Sequence, residues 1–538
     1  MEACMGKSSR GRGWGLIAGI VATALVIVAG GVAQAKPNDR HAKGPHGCVP
    51  GEPTGAPGIG DEYYPNYGNG GYDVAQYDLD VAYDPANDHL DGKATIAATA
   101  TQSVCSFNFD LVGLDIRKIK VDGKKARWTR DEHELTVTPK RSLERGNDFE
   151  VVVRYGGLPS EFTIPGLPIR TGFMATPEGA TVAGQPEVAA GWFPVNDHPL
   201  DKAAYDFEVT VPQPYEVAAN GFLRDVDEHG NRTTWEWEAS EPMASYLATI
   251  DIGFWDVTTG TTADGLPVYD AVSSNITGGL RDQIDSSLAR QGEILGVLSD
   301  AFGAYPFSTV GAIIPNQDDL RFALETQTRP VYSKLFWLDD GVPVNGDGVV
   351  VHELAHQWYG DDVAVARWKD IWLNEGPATY AEWLWAEHEG QATPQEIFEA
   401  TYDAIPADDP FWLVEVADPG VENLFDNQSY VRGAMTLQAL RNEVGDGSFF
   451  AIMREWAASK SGGNGTTEEF MALAEDVSGQ QLDDLFDVWL FTASKPPPSA
   501  VQPSAAGRAV RPTIAQPARE YAEGWLADVQ ERLRLGRY

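Results

Sequence analysis

Residues 351–376 read VHELAHQWYGDDVAVARWKDIWLNEG, and this stretch decides how the second half of the chain folds. His352 and His356 are four positions apart in a helix-compatible segment that ends at Gly360. Residues at positions i and i+4 lie on the same face of a helix, so both imidazoles can reach one metal ion. Glu353 lies beside them, where a carboxylate can take a proton from a water that the metal activates. The spacing therefore predicts a helix that carries two metal ligands and a general base.

A zinc ion that does chemistry needs three protein ligands and one open position. Glu375, separated from His356 by eighteen residues, is the candidate for the third ligand. That interval allows a turn and the start of a second helix that returns over the first. The sequence therefore predicts one zinc ion per chain, held by His352, His356 and Glu375. Glu382, two helical turns after Glu375, could orient a ligating histidine, although a solvated helix carboxylate explains it nearly as well.

A second His-Glu-Leu sequence, His133-Glu134-Leu135, provides an internal comparison for this interpretation. Val137 stands where the second histidine would be, and the surrounding residues alternate as in a strand. We therefore interpret the second sequence as structural.

The run His352-Glu353-x-x-His356 with Asn374-Glu375-Gly376 resembles the gluzincin signature of the aminopeptidase N family, which includes the leukotriene hydrolases. The resemblance spans about residues 70–495, and three other stretches are similar to motifs of that family: Tyr430-Val431-Arg432-Gly433-Ala434, Gln185-Pro186-Glu187 and Phe193-Pro194-Val195-Asn196-Asp197-His198-Pro199. A further stretch, Phe322-Ala323-Leu324-Glu325-Thr326, stands where the family carries Gly-x-Met-Glu-Asn. Only its glutamate matches, so only the carboxylate role carries over.

The resemblance implies an aminopeptidase that acts on peptides with a free N-terminus. Tyr430 is then the phenol that donates to the oxyanion of the tetrahedral intermediate. Glu325 and Glu187 are the carboxylates that hold the α-ammonium group, and Gln185 lines the pocket for the first side chain. Glu187 and Glu325 come from different halves of the chain, which places the expected site at a domain interface.

The composition restricts the class of protein. The chain has 538 residues, with 79 acidic against 40 basic side chains and a formal net charge of −39. A nucleic-acid partner is excluded, because phosphate binding needs a basic surface. An apolar fraction of 43% argues against wholesale disorder. Three cysteines are too few for a disulfide-rich scaffold and leave one expected pair, Cys48 and Cys105, once Cys4 is removed with the N-terminal segment.

The N-terminus has the features of a signal peptide. Basic residues precede an uncharged apolar stretch, residues 13–32, and Ala33-Gln34-Ala35 then offers the small residues of a cleavage site. The sequence therefore predicts that residues 1–35 are removed and that the protein is secreted, with no stable membrane insertion. The alternative is an uncleaved membrane anchor, because the apolar stretch is nearly long enough to span a bilayer.

The rest of the chain divides by composition and periodicity. Residues 36–69 are rich in Gly and Pro and are expected to be a linker. Residues 70–258 alternate between apolar and polar as strands do, whereas helical spacing dominates residues 259–497. The predicted fold class is an N-terminal antiparallel β domain followed by a thermolysin-like α+β, mostly helical catalytic domain. Residues 498–538 are expected to be a peripheral Pro/Ala-rich tail with a short helix.

Three other functions stay open on the sequence. An endopeptidase would use the same zinc chemistry, but it has no need of Glu325 and Glu187. A non-catalytic peptide-binding protein should have lost the base or a ligand, and here all are present. An epoxide-hydrolase side activity is implied by the resemblance to the leukotriene hydrolases, and nothing in the sequence tests it.

Overall fold

The first half of the described chain is built from β-strands. The computed structural model describes residues 52–164, 166–338, 346–501 and 514–534. Buried and exposed side chains alternate along its long strands, as the sequence predicts for sheets with one inward face. The strands are β1 Tyr72–Asp84, β2 His89–Ala100, β3 Phe107–Asp110, β4 Asp115–Val121, β5 Lys124–Lys125, β6 Arg127–Asp131, β7 Glu134–Thr138, β8 Asp148–Gly157, β9 Glu161–Thr163, β10 Arg170–Thr176, β11 Gly179–Ala183, β12 Ala203–Pro212, β13 Glu216–Ala219, β14 Phe222–His229, β15 Arg232–Met243, β16 Ile250–Gly253, β17 Trp255–Thr261, β18 Pro267–Ser273, β19 Val310–Ile314, β20 Ala364–Val365 and β21 Asn464–Gly465.

The largest sheet has eight strands in the order β14-β15-β12-β1-β2-β8-β4-β5. A five-stranded sheet, β13-β16-β11-β10-β9, and a three-stranded sheet, β3-β7-β6, complete the β domain. One central pairing departs from the predicted antiparallel arrangement, because β1 and β12 run parallel. A parallel pair needs a long connection, and here the ten intervening strands provide it.

The turn between β4 and β5 shows how local sequence sets the register. Asp122 and Gly123 both have positive φ, 48° and 70°, and they join Val121 to Lys124 as paired residues. Two consecutive positive φ values are those of the type I′ turn that Asp-Gly favours. The hairpin that an Asp-Gly dipeptide favours forms at this position.

The second half of the described chain is mainly helical, as predicted. It begins with a three-stranded sheet, β17-β18-β19, and the helices follow. They are α1 Gly279–Leu288, α2 Gln291–Phe302, α3 Gly346–His356, α4 Trp372–His388, α5 Pro394–Ala404, α6 Gly433–Lys460, α7 Thr467–Ser478, α8 Asp483–Leu490 and α9 Gln516–Arg534. The backbone of α6 is interrupted at Gly445, where φ is 80°. The long helix α4 packs against both α3 and α6, so the chain that follows His356 does return over the first helix.

The segment expected to be a linker, residues 36–69, is described from residue 52 onwards, and this part packs on the folded body. Asp61 accepts a hydrogen bond from the backbone N–H of Trp368 at 2.8 Å, and its other partner, His198 Nε2, lies 3.2 Å away. Burial raises the pKa of Asp61, but these hydrogen bonds outweigh it and hold the pKa at about 2. Glu62 forms an ion pair with Lys369 at 2.9 Å. Residues 61–62 therefore attach to the helical half rather than acting as a free spacer.

The tail also differs from the expectation. Its helix, α9, buries Ala522, Trp525 and Leu526 against the rest of the protein, so the prediction of a peripheral tail is wrong for this helix. The apolar spacing along the helix supplies a face that packs against α5.

Two predictions concern residues that the structure does not describe. The signal peptide of residues 1–35 lies outside the described residues, and so does Cys48. Its predicted partner Cys105 is disulfide-bonded. Within the described ranges, none of the helices is both long enough and apolar enough to cross a membrane.

Candidate active site

Two helices bring the predicted zinc ligands together. His352 and His356 lie on α3, and Glu375 lies in the first turn of α4. Glu375 Oε2 is 3.4 Å from His352 Nε2 and 3.2 Å from His356 Nε2. All three side chains are buried or nearly so. The structure thus brings one carboxylate oxygen and two imidazole nitrogens to a single point.

These distances fit a zinc ion. Ligands bound at about 2.0–2.1 Å in tetrahedral geometry stand roughly 3.3 Å from one another. The two measured separations bracket that value. Two neutral imidazoles and one carboxylate are also the donor set of a catalytic zinc site with an open fourth position. His352, His356 and Glu375 would hold the metal.

Each histidine is oriented through its other ring nitrogen. His352 Nδ1 donates to Glu382 Oε1 at 2.9 Å, and His356 Nδ1 donates to the backbone oxygen of Tyr359 at the same distance. A proton held at Nδ1 leaves the lone pair of Nε2 directed at the metal position. Glu382 therefore makes the contact that its suggested role, orienting a histidine, requires.

Glu353 is buried beside the histidines, on the same helix. Burial raises its pKa to about 8, although the charges on His352 and His356 oppose the rise. Glu375 behaves in the opposite way: burial raises its pKa, but the charge of His356 and the hydrogen bonds from both histidines bring it down to about 2. The two carboxylates therefore differ in proton affinity.

Glu325 is buried next to this cluster. Ligand atoms of Glu325, Glu353 and His356 lie within 4.8 Å of one another. Tyr246, from the β domain, donates its hydroxyl to Glu325 Oε1 at 3.0 Å. Burial raises the pKa of Glu325, and the nearby charge of His356 opposes the rise. In the described part of the chain, neither lysine nor arginine forms an ion pair with Glu325.

The loop that carries Glu325 is held from both sides. Gln357, the residue after α3, donates to the backbone oxygen of Glu325 at 3.1 Å and accepts from the N–H of Thr328 at 2.7 Å. Arg329 is fully buried and donates to backbone oxygens of Ala219 and Gly221 in the β domain. The carboxylate is therefore fixed relative to both the zinc helix and the β domain.

Gln185 and Glu187 lie just after β11, and the peptide bond between Gln185 and Pro186 is cis. Gln185 borders the cavity at the site, and its Oε1 is buried with no hydrogen-bond partner among the described residues. Glu187 does not belong to the lining of this cavity. Burial raises the pKa of Glu187 to about 8, with further contributions from Asp197 and Asp61. The structure thus places Gln185 at the site, and the anchor role of Glu187 stays a prediction.

The ring of Tyr430 faces the zinc ligand His352. Its ring lies nearly parallel to that of His352, with centroids 5.9 Å apart. It sits in a wide helical turn, Gln428–Arg432, that leads into α6. Wide turns of this kind are frequent at functional sites. Arg432, two residues later, is fully buried and fastens the turn to neighbouring loops.

These residues line a cavity whose empty space, part of it open to solvent, is about 440 Å³. Its polar side contains the zinc ligands, Glu353, Glu325 and Tyr430. The remaining wall is mostly apolar and consists of Ile164, Gly184, Phe322, Ala323, Leu324 and Phe425. A mostly apolar pocket with a few converging polar groups is typical of small-ligand sites.

Sequence reasoning missed several of these residues. Tyr246, Gln357 and Arg329 contact or position the Glu325 loop, yet no local spacing distinguishes them from other buried polar residues. Ile164 and Phe425 reach the cavity from distant loops, so only the folded chain identifies them.

Known proteins share both halves of this arrangement. Residues 74–247 match the Peptidase M1 N-terminal domain, and residues 343–489 match the Peptidase family M1 domain. A probable aminopeptidase 2 of Sulfurisphaera tokodaii is 24% identical over 445 residues, covering 78% of this chain and 53% of that protein. The chain spans about a third to a half of the length of the curated relatives it matches.

Solved structures resemble the chain over nearly their whole length. The M1 zinc metallopeptidase of Deinococcus radiodurans is 29% identical with a TM-score of 0.72, covering 82% of this chain and 99% of that one. A variant of the Deinococcus radiodurans enzyme, bound to a Tyr-Ser-Ala substrate, is 28% identical with a TM-score of 0.72, covering 85% of this chain and 100% of that one. A β domain ahead of a helical domain, with the zinc ligands on two packed helices, defines a zinc metallopeptidase fold. The chain belongs to the M1 family of peptidases, the aminopeptidase N family.

Proposed function

We propose that this protein is a zinc-dependent aminopeptidase that removes the N-terminal residue from peptides. The observation that carries the proposal is Glu325, a carboxylate buried beside the metal ligands with neither lysine nor arginine paired to it in the described residues. A buried carboxylate without a cation is costly. The α-ammonium of a peptide supplies the missing positive charge and places the first peptide bond next to Glu353.

Each residue of the site then has a separate role in the proposed reaction. Zinc, when bound, supplies the Lewis acid that polarises the scissile carbonyl and activates the attacking water. Glu353 accepts the proton of that water and passes it to the leaving amine as the C–N bond breaks. Tyr430 donates a hydrogen bond to the oxygen on which negative charge develops. Gln185 and the apolar wall receive the first side chain.

The decisive experiment is a panel of amino-acid anilides, assayed with and without a chelator. We expect hydrolysis of free anilides, loss of hydrolysis with phenanthroline, and recovery on adding zinc. N-acetylated anilides should be resistant, because they lack the ammonium group. Equal cleavage of acetylated and free substrates would favour a zinc endopeptidase instead, and absence of hydrolysis in a zinc-loaded protein would favour a peptide-binding role.

The anchor role is tested with Glu325→Gln. Removing one partner of a buried charge pair costs about 2 kcal/mol or more, so KM should rise at least about 30-fold. Zinc content should stay unchanged. Glu399→Gln is the matched control, because Glu399 is also buried and lies on α5, outside the cavity. Equal effects of the two variants would assign the loss to stability rather than to substrate binding.

Glu187 and the cellular location are separate parts of the proposal. Glu187→Gln should raise KM less than Glu325→Gln, because its side chain is not part of the cavity lining.

We also propose secretion after cleavage following Ala35; the disulfide at Cys105 fits an oxidising compartment. N-terminal sequencing of the mature protein checks this, and Met1 at the start of a membrane-bound product would support the anchor instead.

A further inference from the structure

Helix α9, which belongs to the tail, docks beside the zinc helices. Its buried face consists of Ala518, Ala522, Trp525 and Leu526. The indole of Trp525 meets that of Trp383 on α4 edge to face, with ring centroids 5.5 Å apart. This geometry is favourable for aromatic pairs, and it fixes α9 against the helix that carries Glu375.

The same indole makes a polar contact directed toward the metal site. Trp525 Nε1 donates to Glu382 Oε2 at 3.0 Å. The other oxygen of that carboxylate, Oε1, accepts from His352 Nδ1 at 2.9 Å. Two hydrogen bonds therefore connect the tail helix to a zinc ligand, and the first of them joins residues that are 143 positions apart in the sequence.

The chemistry of a carboxylate explains why the second contact matters. A glutamate side chain has three rotatable bonds, and a single hydrogen bond to one oxygen leaves the other free to turn. An indole N–H on Oε2 fixes the carboxylate plane and directs Oε1 at the histidine. The ring orientation of a ligating histidine depends on such a partner, and its loss typically weakens metal affinity 10–100-fold.

We propose that α9 stabilises the zinc site, with Trp525 as a positioning residue that orients His352 through Glu382. The proposal rests on the zinc site of the proposed function, but not on the reaction that the site performs. Its consequence is that the tail is required for tight zinc retention.

The test measures zinc itself. Zinc-loaded protein is mixed with an excess of a chromophoric chelator, and the rate of zinc release is followed. Trp525→Phe keeps the ring packing and removes the N–H donor, so release should accelerate about tenfold. Trp337→Phe is the matched control: Trp337 is also buried, and it donates its N–H to Ser287 on α1 at 3.0 Å rather than to a side chain that contacts a zinc ligand. That control should release zinc at the wild-type rate.

A double-mutant cycle separates positioning from general destabilisation. Glu382→Ala alone should accelerate release 10–100-fold, and adding Trp525→Phe to it should change nothing further. Additive effects, or a Trp525→Phe rate within twofold of the wild type, would overturn the proposal. So would a Trp337→Phe variant that behaves like Trp525→Phe.

A nearly isosteric variant covers the case in which Trp525→Phe does not fold. In Glu382→Gln the amide can accept from only one of the two N–H donors, so zinc release should again accelerate. A wild-type release rate in Glu382→Gln would contradict the proposal. Anilide hydrolysis is measured on the same samples. If hydrolysis is absent while zinc is released at the expected rates, only the aminopeptidase proposal is refuted.

Discussion

At the scale of the residue, a substitution of Glu353 distinguishes metal binding from catalysis. Glu353→Gln keeps the shape of the side chain but cannot accept a proton. We expect zinc content to be unchanged and kcat to fall by roughly 10²–10⁴, which is the contribution of a positioned general base. Metal analysis together with anilide kinetics checks both parts, and retained turnover would remove the assignment of Glu353 as the base.

The role proposed for Tyr430 belongs to a different stage of the reaction. Tyr430→Phe should lower kcat by about 10²–10³ and leave KM nearly unchanged, because the phenol contacts charge that develops only in the transition state. Tyr402→Phe is a suitable control, since Tyr402 is buried and donates to the backbone oxygen of Pro496 outside the cavity. A change in KM with constant kcat would instead place Tyr430 in ground-state binding.

At the scale of the element, the turn that presents Tyr430 depends on Arg432. The guanidinium is fully buried and donates to five backbone oxygens in two other segments: Trp412, Val414, Val488, Thr492 and Ser494. Burial lowers its pKa to about 10, so the group is still charged at neutral pH. These contacts join the Tyr430 turn to the segment between α5 and α6 and to the end of α8 with the residues that follow it.

Replacing Arg432 should therefore unfold or loosen this region. Arg432→Met leaves several carbonyl groups buried without donors, so the free energy of unfolding should fall by about 3 kcal/mol or more. Arg432→Lys should not restore the free energy of unfolding, because a single ammonium cannot reproduce the planar set of donors. Arg454→Lys, at an exposed site with one backbone contact, should change it by less than about 0.5 kcal/mol. Urea titrations compare the three variants, and a stable Arg432→Lys would show that charge alone is sufficient.

At the scale of the whole molecule, the acidic composition predicts how stability depends on pH. Burial raises the pKa of Asp201 to about 8, of Glu187 to about 8 and of Asp251 to about 7. These groups bind protons more tightly in the folded state than in the unfolded state. Their stabilising effect is complete below about pH 4 and is lost as the pH rises toward 8.

We therefore expect Tm to be higher at pH 6 than at pH 8. Mutual repulsion of the net charge of −39 acts in the same direction, so added salt should raise Tm more at pH 8 than at pH 6. Asp251→Asn resembles the protonated carboxyl and should reduce the pH dependence. Calorimetry at the two pH values provides the measurement, and a Tm that rises with pH would contradict this account.

The amino-acid sequence by itself predicted a zinc site at His352, His356 and Glu375, a carboxylate beside it at Glu353, and the division into a β half and a helical half. His352, Glu353 and His356 could be predicted because helix geometry fixes the relation of residues one and four positions apart. The Asp122–Gly123 hairpin and the alternation along the strands were predictable for the same reason, since both depend on neighbours within a few residues.

Tertiary structure decided what lies between distant segments. The parallel pairing of β1 with β12 and the donation from Tyr246 to Glu325 depend on which surfaces meet, and local spacing carries no information about that. The clearest case is Trp525, whose sequence context suggests only a peripheral helix. Burial of its indole against α4 brings its N–H to Glu382, and this contact links the end of the chain to the metal site.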